Sequence, residues 1–177
     1  MGWKTQPAGV FPIQPKKYVM IVAPHTSGWD FIIGVLYRSA LQLTHARYLG
    51  KMELFRPPFG FIFKWLGGTP VNRSSSQNMV DEVVKIFNQH DRFALALSPE
   101  GTRKRVERLR TGFYNIAKNA GVPIVMVGLD FKNKRVIFSK PFMPSDNQQH
   151  DFDHILKFFG PIKGKYPDNG LGHLLLP

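Results

Sequence analysis

Cysteine is absent from this chain of 177 residues, which excludes disulfides, thiolate metal sites and a cysteine nucleophile and agrees with a reducing compartment. Long apolar runs are missing too. The longest, Tyr18 to Ala23 and Val122 to Leu129, fall far short of the roughly 20 residues a helix needs to cross a bilayer. Met1 to Lys17 carries prolines, glycines and short apolar pieces, so it reads as a partly ordered lead-in and not as a signal peptide. No low-complexity tract, internal repeat or linker interrupts the chain, and no Gly-x-Ser-x-Gly elbow points to a serine nucleophile. Acidic residues are scarce: 12 Asp and Glu face 24 Lys and Arg, a net charge of +12. Such a chain seeks anions, whether nucleic acid, an anionic membrane surface or a polyanionic substrate. A nucleic-acid partner is not expected, because no zinc-ligand set, RNP-like aromatic motif or basic helical array is present to carry it.

What is there fits one domain with an ordinary core. Its divisions are a lead-in over 1–17, a core over 18–140 and a tail over 141–177. Apolar runs predict strands near 18–24, 45–50, 69–72, 92–97, 122–130 and 134–139. Helical spacing predicts helices near 28–43, 58–66, 76–90 and 111–120, the third marked by Met79, Val83, Ile86 and Phe87. This alternation predicts an α/β domain with a mostly parallel central sheet flanked by helices. Lys132, Asn133 and Lys134 read as a hairpin turn, so the last two strands are expected to pair antiparallel. A further helix is expected near 151–159, followed by proline- and glycine-rich coil.

Two strand ends carry chemistry. After Tyr18 to Ala23 comes Pro24-His25-Thr26-Ser27-Gly28-Trp29-Asp30. A strand that delivers an imidazole to its C-terminal end places the ring at the sheet rim where open α/β folds bind ligands. A carboxylate in the following helical turn can fix its tautomer and free the other ring nitrogen to take a proton. Ser27-x-x-Asp30 equally fits a helix capping box, in which both side chains satisfy backbone N–H groups. After Phe93 to Leu97 comes Ser98-Pro99-Glu100-Gly101-Thr102-Arg103. A turn would explain Pro99 and Gly101. The adjoining Glu and Arg suit a grip on a hydroxylated, phosphorylated ligand.

With both clusters in view the chain resembles the glycerolipid acyltransferases, the family of glycerol-3-phosphate and 1-acylglycerol-3-phosphate acyltransferases. Its His-x-x-x-x-Asp block falls on His25 and Asp30, and Pro-Glu-Gly-Thr-Arg falls on Pro99 to Arg103. A weaker block, glycine followed six residues later by arginine, falls on Gly67 and Arg73, and an apolar stretch around a proline falls on Val122 to Val127. The resemblance implies an acyltransferase-like fold and transfer of an acyl group, without a covalent enzyme intermediate, from acyl-CoA or acyl-carrier protein to a glycerol phosphate or lyso-lipid hydroxyl. His25 and Asp30 would be catalytic, and Arg73, Glu100, Gly101, Thr102 and Arg103 would bind substrate. For Glu100 the expected task is a hydrogen bond to an acceptor hydroxyl or a neighbouring arginine. No cofactor and no metal are implied. Pro24 stands where asparagine often precedes the histidine, and Pro70-Val71-Asn72 replaces an aromatic-aliphatic-Asp run, which bears on the acceptor.

Lys104, Arg105, Arg108 and Arg110 cluster after the third block, either as a border of the site or as solvated loop charge; Arg110 and Gly112 extend the possible anion site. The aromatic segment Met52 to Leu66 suits a headgroup boundary. Helical spacing assigns Phe59, Ile62, Phe63 and Leu66 to the core and leaves Phe55, Phe61 and Trp65 for lipid or acyl chain. An enzyme held at the cytoplasmic membrane face is the expectation. The same dyad could instead activate water, making the protein a thioesterase. His150 and His154 sit one helical turn apart, but no third metal ligand accompanies them.

Overall fold

Strand-forming runs rich in Val, Ile, Leu and Phe become the layers of one sheet because their side chains alternate between two faces. The computed structural model describes residues 2–6, 15–71 and 76–175. Its strands are β1 (Lys4–Gln6), β2 (Lys17–Ala23), β3 (Ala46–Lys51), β4 (Gly68–Val71), β5 (Phe93–Leu97), β6 (Ile124–Asp130) and β7 (Arg135–Phe138). Its helices are α1 (Trp29–Ala40), α2 (Gly60–Trp65), α3 (Ser76–Gln89), α4 (Gly112–Ala120) and α5 (Gln148–Phe159). The sheet order is β1-β7-β6-β2-β5-β3-β4. β6, β2, β5, β3 and β4 run parallel, whereas β6 and β7 pair antiparallel across the turn at 131–134. The expected α/β class, mostly parallel sheet and terminal hairpin are therefore present.

β2 lies between β5 and β6, with Ile21 opposite Leu97 and Ala23 opposite Gly128. That register brings the ends of β2, β5 and β6 to one rim. Along β2, Val19 and Ile21 face a core formed with Val83, Phe87, Phe113, Ile116, Ile155 and Phe159 of α3, α4 and α5. Tyr18 and Met20 face the opposite layer with Val125, Val127, Leu129, Val136 and Phe138. That second layer has much thinner cover. Its helix, α1, buries only Asp30 and Ile33, and Trp29, Phe31, Ile32 and Leu36 stay exposed.

Three parts of the chain depart from expectation. The lead-in contributes a strand, since β1 pairs in parallel with β7. The tail belongs to the core: Ile155, Phe159 and Leu171 are completely buried, and α5 starts earlier than expected because the Asn147 side chain caps it by accepting the His150 N–H. The segment 52–66 forms a 3-10 turn (Met52–Phe55) and α2, with its faces partly reversed. Phe59 and Ile62, assigned to the core, are exposed together with Phe61 and Trp65, while Phe55 is half-buried against Phe63 and Gly68. The reason is length: α2 is a six-residue helix at the β4 edge and packs only one narrow stripe, which a repeat drawn over a longer helix misplaces.

Candidate active site

β2 ends at Ala23, and the chain turns through Pro24 to Gly28 into α1. Within that turn His25 Nδ1 stands 3.1 Å from Asp30 Oδ2, the imidazole 31% exposed and the carboxylate 2%. Asp30 Oδ2 also accepts the backbone N–H groups of Thr26 at 2.7 Å and Ser27 at 2.8 Å, and Oδ1 accepts the Ser27 hydroxyl. The carboxylate that ties down the turn before α1 also stands against the ring, while the helix itself starts from Gly28 with no side-chain cap. Three hydrogen-bond donors thus surround the buried carboxylate, with the imidazole Nδ1 at ion-pair distance. With Nδ1 turned to this carboxylate, Nε2 is the ring nitrogen on the far side from it. Among the described residues Nε2 has no hydrogen-bond partner.

The second loop meets the first through Glu100. Its carboxylate accepts the His25 N–H with both oxygens, at 3.0 and 2.9 Å, and the Ser98 hydroxyl at 2.9 Å. Glu100 is 1% exposed and does not line the cavity beside it. Among the described residues Glu100 therefore bonds the His25 backbone and the Ser98 hydroxyl and meets no arginine. Burial pushes the Glu100 carboxyl above its ordinary range, against the opposing pull of the His25 N–H and Ser98 hydroxyl.

Gly101 follows with φ of +67°, a conformation that favours glycine, and a Cβ there would stand 3.4 Å from Arg110 Cγ. Arg103 Nη1 lies 3.5 Å from where a Cβ on Gly28 would stand, so its guanidinium reaches the first loop. Gly101, Thr102, Arg103 and Arg110 all border the same cavity as His25. Neither Arg103 nor Arg110 has an ion-pair partner among the described residues. Arg73 lies outside the described residues. His150 pairs with Asp151 at 3.6 Å, and His154 packs against the Phe142 ring, so these two histidines have structural surroundings.

The cavity has a volume of about 890 Å3. From His25 it extends between α1 and the thinly covered sheet face, where Val22, Val127, Leu129, Phe138 and Val35 line it. A second group of contacts could not be anticipated from motif spacing. The Thr26 hydroxyl accepts the N–H of Tyr166, and Asn169 Nδ2 donates to the carbonyl of Arg103 at 3.3 Å. The C-terminal coil thus straps both loops across separations of 140 and 66 residues, and no local pattern in sequence signals such a pairing.

A family model described as Acyltransferase matches residues 8–130, which include both loops. No curated protein and no solved structure matches the chain.

Proposed function

Because the chain belongs to the acyltransferase family, we propose that it is an O-acyltransferase of phospholipid biosynthesis with His25 as general base. The donor is an acyl thioester, acyl-CoA or acyl-carrier protein, and the acceptor is the hydroxyl of glycerol phosphate or of a lysophospholipid such as 1-acylglycerol-3-phosphate. The observation that carries this reading is the His25–Asp30 pair opening onto a cavity that is cationic at its mouth and apolar beyond.

The chemistry follows from that geometry. Nε2 of His25 takes the acceptor's hydroxyl proton while the oxygen attacks the thioester carbonyl. Collapse of the tetrahedral adduct breaks the C–S bond, and the thiolate leaves with the proton from the imidazolium. Asp30 stabilises that imidazolium, and Glu100 holds the histidine backbone so the ring keeps its place. Arg103, with Arg110 beside it, suits a phosphate because guanidinium forks match phosphate oxygens; Arg73 is proposed to join them. Gly101 and Thr102 border the acceptor. The apolar part of the cavity accommodates an acyl chain, whose burial there is favourable at about 25 cal/mol per Å2.

A membrane face fits the same reading. Phe31 of α1 packs edge-on against Tyr48 at 5.2 Å, and the Tyr48 hydroxyl donates to the carbonyl of Phe63 in α2. These contacts bring Phe31 towards α2, whose Phe61 and Trp65 are 70% and 79% exposed. Among the described residues no helix is long and apolar enough to cross a membrane, and a basic protein with such a surface suits peripheral attachment to anionic lipid.

The test is thiol release from acyl-CoA and from acyl-carrier protein, with and without glycerol phosphate or lysophosphatidate, and with mass spectrometry of the product. Acceptor-dependent release with ester formation supports the proposal. Release at the same rate without acceptor would make the protein a thioesterase.

A further inference from the structure

The cavity at His25 is not confined to the α1 side of the sheet. Successive residues of a strand point to opposite faces, and at the end of β5 Ala96 packs against the layer under α1 while Leu97 packs against the layer under α3 and α4; both line the cavity. On the α1 side its walls include Val22, Val127, Leu129 and Phe138. On the other side they are Leu49 of β3, Met79 of α3, and Phe113 and Ile116 of α4. Apolar walls on both faces thus belong to one cavity, which also holds His25, Arg103 and Arg110 beyond the strand ends. A glycine borders each arm. Gly34 in α1 and Gly112, the first residue of α4, line the cavity, and a Cβ at either would meet nothing within 4 Å. Neither adopts a positive φ, and a helix disfavours glycine, so what the missing side chains provide at these two positions is space.

One acyl chain fills only one arm. The donor's chain, placed between α1 and the sheet, leaves the arm beside α4 without an occupant. Arg110 stands two residues before Gly112, so the guanidinium that suits the acceptor's phosphate is followed directly by this second arm. Its walls, Leu49, Leu97, Met79, Phe113 and Ile116, carry no charge. Cations followed by an uncharged apolar hollow suit a ligand with an anionic head and a hydrocarbon tail, whereas glycerol phosphate alone would leave those walls facing water. We propose that the arm beside α4 binds a hydrocarbon tail carried by the acceptor itself, which makes the acceptor a single-chain phospholipid and not glycerol phosphate. This rests on the acyl-transfer reading and narrows its acceptor.

Binding in the absence of turnover tests the tail site. Calorimetric titration of the full chain, without vesicles and below the micellar concentration of each lipid, would compare glycerol phosphate with lysophosphatidates of increasing chain length for wild type, Gly112→Leu and Gly34→Leu. Wild type should bind lysophosphatidate at least roughly tenfold more tightly than glycerol phosphate, and each added pair of methylenes should tighten Kd by up to roughly tenfold until the arm is full. Gly112→Leu should erase most of that gain and leave glycerol phosphate unaffected, whereas Gly34→Leu, on the donor's side of the sheet, should keep it. Gly112→Ala, which adds one methyl to open space, should fall between wild type and the leucine variant, and it carries the test if that variant does not fold. Equal affinity of wild type for glycerol phosphate and lysophosphatidate, a chain-length gain that survives in a folded Gly112→Leu, or loss of the gain in Gly34→Leu would overturn the proposal. A protein that shows the gain and its loss in Gly112→Leu, yet forms no ester from acyl-CoA or acyl-carrier protein, would instead refute the acyl-transfer reading alone.

Discussion

At His25 the ring and the backbone are held by different acids. Asp30 takes the Nδ1 side and Glu100 the main-chain N–H, which separates the effects expected of their variants. Glu100→Gln keeps the shape but replaces one accepting oxygen by a donor facing an N–H. Loss of a charge-assisted bond of about 1.5–3 kcal/mol should lower kcat by roughly tenfold or more while the acceptor's KM stays near wild type, as steady-state kinetics would show. Arg103→Ala should do the reverse, raising KM for a phosphate-bearing acceptor with a smaller change in kcat. Equal KM effects from the two would argue that Glu100 touches substrate after all. Both residue identities stand in the Pro-Glu-Gly-Thr-Arg block. The target of Glu100 does not, because it is set by the β2–β5 register and not by spacing along the chain.

Elements differ in how far the chain's local pattern reveals them. The interior strands β2, β5 and β6 were readable because residues buried on both faces leave continuous apolar runs. β1 was not, since Lys4–Gln6 is polar and becomes a strand only through pairing with β7. α5 joins the core through a polar contact: the Asp151 carboxylate accepts the Ser145 N–H at 2.6 Å and the Tyr114 hydroxyl at 2.8 Å. Burial alone would raise the Asp151 carboxyl, but these donors outweigh it and hold it below the usual carboxylate range, while burial and the same bond push Tyr114 up to about 12. A carboxyl with a depressed folded pKa stabilises the fold above its unfolded value, near 3.9, and that contribution disappears as pH falls through the folded one. Asp151→Asn should therefore cost about 1–3 kcal/mol at neutral pH and progressively less in acid, measured by urea unfolding across pH. An equal cost at every pH would contradict an ionised Asp151. In the C-terminal strap, Gly164→Ala would press on Thr26, so turnover should fall while Tm changes little.

For the molecule as a whole, charge and apolar surface act together. The net charge of +12 was evident at once, but the gathering of Arg103 and Arg110 at the cavity that His25 borders emerges only from the folded sheet. The exposed aromatics of α1 and α2 predict attachment to vesicles containing anionic lipid, and Phe61→Asp with Trp65→Asp should abolish most co-sedimentation. Raised salt should weaken the wild-type interaction, since electrostatic attraction is screened beyond about 8 Å at physiological ionic strength. Salt-insensitive co-sedimentation, or none by the wild type, would count against this face.

Removal of the acceptor's proton by His25 is checked by single-turnover ester formation by His25→Ala, with the donor and acceptor that wild type uses. General-base catalysis contributes about 10²–10⁴-fold, so the rate should fall by that factor while donor affinity holds. A rate within threefold of wild type, on the order of 0.65 kcal/mol in barrier, would contradict the account.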